Sequence, residues 1–182
     1  MTEPQVRPAR SANLESFVAA FGTGWYFADR LRRQRQRRGV LLLAWLDSHP
    51  AGHVYVWLET AEEPPIRQHL SEVALLTHLE VRPELRNRGI GRALVAAAEE
   101  YLFGSGHHRV ALAVRTDNTA AAHLYRRLDY RDWGHDEVTC YALTVLPDGS
   151  FRDEPERCHV LVKDLVPVTP APPVPPIGAA RY

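Results

Sequence analysis

The sequence predicts a single-domain α/β fold in which a sheet of about seven strands is flanked by four helices. Three observations lead to this prediction. Runs rich in aliphatic, β-branched and aromatic residues alternate with runs whose apolar residues recur at helical spacing. Turns rich in glycine, proline and small polar residues separate these runs. A length of 182 residues suits one domain with a substantial core.

The order of the elements follows from these runs. Seven segments are predicted as strands, namely 6–10, 40–47, 53–59, 73–81, 109–114, 138–146 and 158–165. Four segments are predicted as helices, namely 13–21, 26–38, 89–103 and 118–128. Residues 48–52 are predicted to turn a first hairpin, and residues 147–150 a second, antiparallel one. Residues 61–71 are expected to form a polar loop or short helix.

The chain divides into a domain at residues 1–166 and a tail at residues 167–182. Six of the sixteen tail residues are proline, so we expect an extended, mobile segment, either without function or binding a partner as polyproline. Basic and acidic residues both number 22, which gives no indication of nucleic acid or membrane binding. The sequence has no signal peptide core and no long apolar run, and a cytoplasmic protein is predicted.

The chain has two cysteines, too few for a disulfide scaffold and without the spacing of metal ligands. Cys140 and Cys158 each lie nine residues from Gly149, the middle of the proposed hairpin turn. Opposed positions in such a hairpin lie close together, so we predict neighbouring, reduced thiols facing one another. No metal site is predicted.

The most informative segment is 79–94, where an apolar strand leads into an amphipathic helix through Arg86-Asn87-Arg88-Gly89-Ile90-Gly91. Glycine allows the backbone to approach a ligand, and the N–H groups of the first helical turn attract an anion. The segment lacks the Lys-Ser/Thr of a Walker loop and the full GxGxxG of a dinucleotide fold. It predicts a turn that binds a pyrophosphate.

Two ordered motifs resemble those of the GNAT superfamily of N-acetyltransferases. The first motif consists of Val81, Pro83, Arg86, Gly89 and Gly91. The second, Asn118 to Tyr125, is similar to the family's N-x-x-A-x-x-L-Y. The resemblance covers about residues 75–133 and implies a mixed, mostly antiparallel twisted sheet with acetyl-CoA as cosubstrate. Asp129 departs from the family, which usually carries glycine there, and leaves the end of the preceding helix open.

The resemblance also implies the residues that hold CoA, which are Leu79, Val81, Arg86, Asn87, Arg88, Gly89, Ile90, Gly91, Arg92 and Asn118. The backbone of residues 86–92, the helix dipole and the three guanidinium groups would bind the phosphates. The backbone of Leu79 and Val81 would pair with pantetheine. Asn118 would cap its helix and also contact the pantetheine arm.

Three residues are candidates for catalysis. By the resemblance, Tyr125 lies near the CoA sulfur, where a phenol can return a proton to the departing thiolate. His78 and Glu80 alternate with apolar residues and are predicted to share one face of their strand. We expect Glu80 to act as the base, directly or through water, with His78 as relay or alternative. The other interpretation is a polar part of the sheet without chemistry.

We therefore predict an enzyme that transfers acetyl from acetyl-CoA directly to a primary amine of a small molecule or peptide. Alternatives are a longer acyl-CoA donor, an aminoglycoside acceptor and a CoA-binding regulatory module without turnover. Carboxylates beside the 61–71 segment, a proposed lip over the substrate site, would suit an aminoglycoside: Glu59, Glu62, Glu63 and Glu72. The sequence is also compatible with a homodimer.

Three further groups of side chains have two interpretations each. The arginines of residues 30–38 either form a solvated helix face or bind acidic substrate groups, nucleic acid or a ribosomal surface. The aromatic residues Trp25, Tyr26, Trp45, Tyr55 and Trp57 lie where the family builds its acceptor side, although most large aromatic residues are core. His123 is expected at the surface.

Overall fold

A computed structural model of the protein describes residues 3–148 and 150–165. The strands are β1 (Gln5–Pro8), β2 (Gly39–Leu46), β3 (His49–Trp57), β4 (Ala74–Val81), β5 (Arg109–Arg115), β6 (Arg131–Asp132), β7 (Val138–Val145) and β8 (Phe151–Asp164). The helices are α1 (Leu14–Phe21), α2 (Gly24–Arg35), α3 (Pro64–His69), α4 (Ile90–Gly104) and α5 (Thr119–Arg127). Short 3-10 turns precede α1 and α4, at Ser11–Asn13 and Pro83–Leu85. The proline-rich tail lies outside the described residues.

The strands form one mixed sheet in the order β1-β2-β3-β4-β5-β8-β6, with β7 also paired to β8. Among the strands of the described residues, only the β4–β5 pair is parallel, so the predicted, mostly antiparallel sheet is confirmed. This pair is short, with Ala74 opposite Val110 and Leu75 opposite Ala111. Beyond these residues the two strands are no longer paired, which leaves their facing edges open in the middle of the sheet.

Helices cover both faces of the sheet. Strand β2 shows this arrangement, because its alternate residues contribute to two separate apolar clusters. Val40 and Leu42 belong to the cluster that contains α4 and α5, which we call the α4 face. Leu41 and Leu43 belong to the cluster that contains α1, α2 and α3, which we call the α2 face. The core is therefore divided between two layers with the sheet between them.

The first hairpin turns more tightly than predicted. Asp47 and Ser48 both have positive φ, at 49° and 65°, as a two-residue type I′ turn requires. The expected turn residues after Ser48 instead begin β3. Gly52 is needed for sheet packing, because a Cβ there would lie 2.8 Å from the Glu80 carbonyl oxygen.

Two short elements and part of a long one differ from the predicted boundaries. The two-residue strand β6 was not predicted, because so short a segment has no periodicity to recognise. Residues 61–71 contain the short helix α3, one of the two structures expected there. Strand β8 begins at Phe151, seven residues before the predicted start. Pro155 and the charged residues around it hide this part of the strand, since proline weakens a strand prediction.

The two cysteines are neighbours, but they do not face one another as predicted. Cys158 pairs with Val138, and Cys140 pairs with Glu156, so the predicted register is wrong by two residues. A two-residue shift leaves side chains on the same face. The thiols are accordingly unbonded neighbours, and a hydrogen bond between them raises the pKa of Cys140 and lowers that of Cys158.

Helix α5 ends with a left-handed residue. Asp129 has a φ of 67°, and the following Tyr130 N–H donates to the Tyr125 carbonyl at 3.1 Å. Aspartate thus takes the conformation for which glycine is usual at this position. None of the helices within residues 3–148 and 150–165 has the length and apolar character needed to cross a membrane.

Candidate active site

The loop before α4 has the shape of an anion cradle. Asn87 and Gly89 have positive φ, at 60° and 81°, and Gly89 is the N-cap of the helix. A Cβ on Gly89 would meet no atom within 4 Å, so the space above this residue is open. The N–H groups of Ile90, Gly91 and Arg92 form the first helical turn, where intrahelical acceptors are missing. The residues present therefore fit a phosphate group.

The three arginines around this loop remain at the surface. Arg86, Arg88 and Arg92 are all exposed. The Arg86 Nε donates to the Val81 carbonyl at 3.3 Å, which brings this guanidinium to the end of β4. All three side chains are thus near the cradle and able to meet an anion.

Gly91 has a packing role that the sequence did not reveal. A Cβ on Gly91 would lie 3.2 Å from Leu124 Cδ2, and 3.9 Å from Leu79 and from Val81. Its lack of a side chain lets α4 begin close to both α5 and β4. Leu79 and Val81 lie on the α4 face, partly buried against its core.

Strand β4 contains a bulge beside the opening in the sheet. Tyr55 pairs with Thr77 and His53 pairs with Glu80, so two residues of β4 stand opposite one residue of β3. His78, the first of the two, has a φ of 56°. A non-glycine residue in this region costs free energy, and such residues concentrate at functional sites.

His78 and Glu80 both lie on the α2 face, where the sequence predicts them to be together. The His78 ring stacks on Tyr26 with centroids 4.4 Å apart, although the residue stays exposed. Desolvation, helped by nearby His53 and Arg30, lowers the pKa of His78 to about 4. The approach of the buried His53 ring lowers the pKa of Glu80, whose side chain is 47% exposed. At neutral pH the pair therefore consists of a neutral imidazole and an accessible carboxylate.

His53 is a member of this cluster that the sequence analysis missed. It is completely buried on β3, with its Nε2 3.4 Å from Glu80 Oε2. The rings of Phe21 and Phe27 each lie 4.9 Å from it, and Tyr26 lies 5.4 Å away. The available signal was a titratable histidine within the largely apolar run of residues 51–57.

Tyr125 lies on the opposite face of the sheet. It is 7% exposed within the core of the α4 face, and its ring packs against Tyr130 at 5.6 Å. Burial raises the pKa of Tyr125 to about 12, so the phenol keeps its proton at neutral pH. The structure thus separates Tyr125 from His78 and Glu80, with the β4–β5 opening between the two faces.

Two further residues of interest are Asn118, at the start of α5, and His123, on its surface. The Asn118 Oδ1 accepts the Ala121 N–H at 3.1 Å, so the predicted cap is confirmed. His123 is exposed, as expected.

Several arginines of residues 30–38 are engaged within the fold. The Arg30 guanidinium lies 4.8 Å from the Tyr55 ring centroid and 5.5 Å from that of Trp57. Arg33 donates to Asp29 at 2.9 Å and to Glu59 at 2.6 Å, and Arg38 also pairs with Glu59. The solvated-face prediction is therefore wrong for Arg30 and Arg33, which cover aromatic core residues.

The five aromatic residues considered for an acceptor side divide into core and surface. Tyr26, Tyr55 and Trp57 are buried, and Trp45 packs against the same core. Trp25 is 37% exposed, and its ring contacts that of Phe151 on the β7–β8 hairpin at 5.5 Å.

The comparison with known proteins agrees with this geometry. The profile of the acetyltransferase (GNAT) family matches residues 7–130, and the chain belongs to that family. A mycothiol acetyltransferase of Salinispora arenicola is 39% identical over 116 residues, 60% of this chain and 35% of that protein. The matched segments span only 17 to 35% of the length of such relatives.

Solved structures share the fold. The ribosomal-protein-S18-alanine N-acetyltransferase of Escherichia coli has a TM-score of 0.62 at 16% identity, covering 90% of this chain and 94% of that one. An acetyltransferase of Salmonella typhimurium solved with acetyl-CoA has a TM-score of 0.62 at 12% identity, covering 95% of this chain and all of that one. At these identities the likeness concerns the fold alone.

Proposed function

We propose that the protein is an acetyl-CoA-dependent N-acetyltransferase that moves the acetyl group directly to a primary amine of a small molecule or peptide. The observation that carries this proposal is the separation of β4 and β5 beyond Leu75 and Ala111, next to the anion cradle before α4. A thioester arm that starts at the cradle would pass between the two strands there. Its carbonyl would then lie between Tyr125 and Glu80.

The protonation states of Glu80 and Tyr125, on opposite faces of the sheet, suit the two proton transfers of the reaction. The amine nitrogen bonds to the thioester carbonyl carbon, and its proton goes to the Glu80 carboxylate, directly or through water. The carbon–sulfur bond then breaks, and the Tyr125 phenol gives its proton to the thiolate. The products are the acetylated amine and CoA with a free thiol. Glu80 releases its proton to solvent, and solvent restores the proton of Tyr125. His78 is the alternative base, since its imidazole is neutral.

The side chains around Glu80 favour some classes of acceptor amine over others. The ionised and accessible carboxylate of Glu80 favours a cationic amine. An aminoglycoside site needs several free carboxylates, and Glu59 is already paired with Arg33 and Arg38. This observation weakens the aminoglycoside alternative. It favours a peptide N-terminus or a small amine as the acceptor.

Release of free thiol tests the proposal. The purified protein is incubated with acetyl-CoA and a panel containing an alanine N-terminus, the acceptor of mycothiol acetyltransferases and an aminoglycoside. We expect amine-dependent thiol release that Glu80→Gln reduces, while His123→Gln, at an exposed site on α5, leaves it unchanged. CoA binding without release for any amine would instead support the regulatory module. Longer acyl-CoA donors in the same assay test the donor preference.

A further inference from the structure

His53 is an unusual residue for the interior of this fold. Its side chain is fully buried, and no atom in the described part of the chain meets hydrogen-bond geometry with either ring nitrogen. Leaving a polar group in this state is unfavourable. An apolar residue of similar size would avoid that cost, since the surroundings are the rings of Phe21, Phe27 and Tyr26.

His53 approaches the Glu80 carboxylate. The Nε2 to Oε2 distance is 3.4 Å, and His53 and Glu80 are paired residues of β3 and β4. The backbone therefore fixes their separation, which needs only a small side-chain rotation to become a short hydrogen bond. Such bonds are often long before the substrate binds.

The bulge at His78 determines which residue of β4 meets His53. Without the extra residue, the strand pairing that places Tyr55 opposite Thr77 would place His53 opposite Leu79. In the observed structure, by contrast, the side chain of Leu79 lies on the α4 face. The strained φ of His78 thus brings the carboxylate of Glu80, rather than an apolar side chain, to the buried imidazole.

We propose that His53 is a positioning residue, whose Nε2 N–H holds the Glu80 carboxylate towards the acceptor amine. The inference rests on the proposed function in taking Glu80 as the base. His53 itself has no exposed surface and does not touch the substrate. It acts by limiting the rotamers of Glu80 and by stabilising the ionised carboxylate.

The titration of Glu80 tests this assignment without any activity. The other ionisable groups near Glu80 are His78 on its own strand, Arg86 in the following loop and Tyr26 on α2. In the free protein labelled with ¹³C-glutamate, we expect His53→Phe to raise the pKa of Glu80, because the N–H donor is lost. His53→Leu is a second, smaller apolar replacement in case the phenyl ring is not accommodated.

Two further variants separate the hydrogen bond from the packing. His53→Gln keeps an N–H donor and is expected to restore much of the parental Glu80 titration. Phe27→Leu disturbs the same aromatic surroundings without removing a polar group, and we expect it to leave Glu80 unchanged. A Glu80 carboxyl that titrates alike in the parent and both apolar variants of His53 would overturn the proposal.

A double-mutant cycle then connects His53 to turnover. We expect His53→Phe to lower kcat/KM for the acceptor about tenfold, the value of a hydrogen bond to a charged group. In the Glu80→Gln background the same change should have no further effect. Equal losses in both backgrounds would mean that His53 acts through packing, which contradicts the proposal. If Glu80→Gln alone turns over as fast as the parent, Glu80 is not the base. The titration distinguishes this failure from a failure of the His53 assignment, because it follows the Glu80 carboxyl without turnover.

Discussion

Gly91 lies against Leu124, with 3.2 Å between the place of a Cβ on Gly91 and Leu124 Cδ2. This contact joins the first turn of α4 to α5, the helix that carries Tyr125. A larger residue at Gly91 would therefore disturb the cradle and the position of Tyr125 together. The arginines around the loop are better probes of phosphate binding, because their side chains are exposed.

We expect the double change Arg88→Ala and Arg92→Ala to weaken CoA binding by about tenfold at low salt, because two charge-assisted contacts to phosphate are lost. Calorimetry at two salt concentrations measures the affinity, and the parent should be the more sensitive to salt. The matched control is Arg126→Ala with Arg127→Ala, two exposed arginines on α5. Equal affinities in all three proteins would place the phosphates elsewhere.

Tyr125→Phe should lower kcat by about 10²-fold and leave the CoA affinity nearly unchanged, as expected when a general acid is lost. Steady-state thiol release and calorimetry give the two quantities. Because burial raises the pKa of Tyr125 to about 12, its phenol should cause no fall in kcat as the pH rises through the neutral range. Tyr101→Phe on α4 is the control. An unchanged kcat in Tyr125→Phe would assign this residue to packing alone.

His78 should make the stability of the fold depend on pH. Its pKa is about 4 in the folded protein, below the ordinary value of 6.5, so the unfolded chain binds the proton more readily. The stabilisation is complete above the ordinary value and is lost as the pH falls from there towards 4. We expect His78→Asn, which tolerates a positive φ, to lose less thermal stability between pH 7 and pH 5 than the parent. His123→Asn should follow the parent.

Asp129→Gly should stabilise the fold by about 1 kcal/mol. Glycine adopts the φ of 67° without steric cost, and the change removes a negative charge from the C-terminal end of α5. Denaturant unfolding at equal pH measures the difference. Asp129→Ala separates the causes, because it removes the charge but keeps a Cβ. A gain as large with alanine as with glycine would assign the effect to charge.

Much of this fold follows from the sequence because its signals are local. Periodicity locates β2 and α4, and the cap at Asn118 was predicted from residue type alone. The motifs around Gly89 and Tyr125 indicated the family. Each of these signals is contained within one element, where side-chain chemistry and backbone geometry are directly linked.

The features that the sequence does not predict depend on pairing between distant segments of the chain. The register of β7 and β8 is set by a turn centred one residue earlier than predicted, which moved Cys158 from Cys140 to Val138. The bulge at His78 leaves no glycine in the sequence to reveal it. His53 resembles any isolated polar residue in a strand until β3 and β4 are aligned. Partners across a sheet are not encoded in the spacing of one strand.

The separation of β4 and β5 leaves part of an interior strand with a free edge. Main-chain groups along this edge have no neighbouring strand, and a ligand that carries amides of its own would complete the ladder in place of a protein strand. Binding of the donor would then be coupled to the integrity of the sheet. Amide hydrogens in the second half of β4 should exchange more slowly once CoA is bound, so the bound ligand would serve for a time as a structural element of the protein.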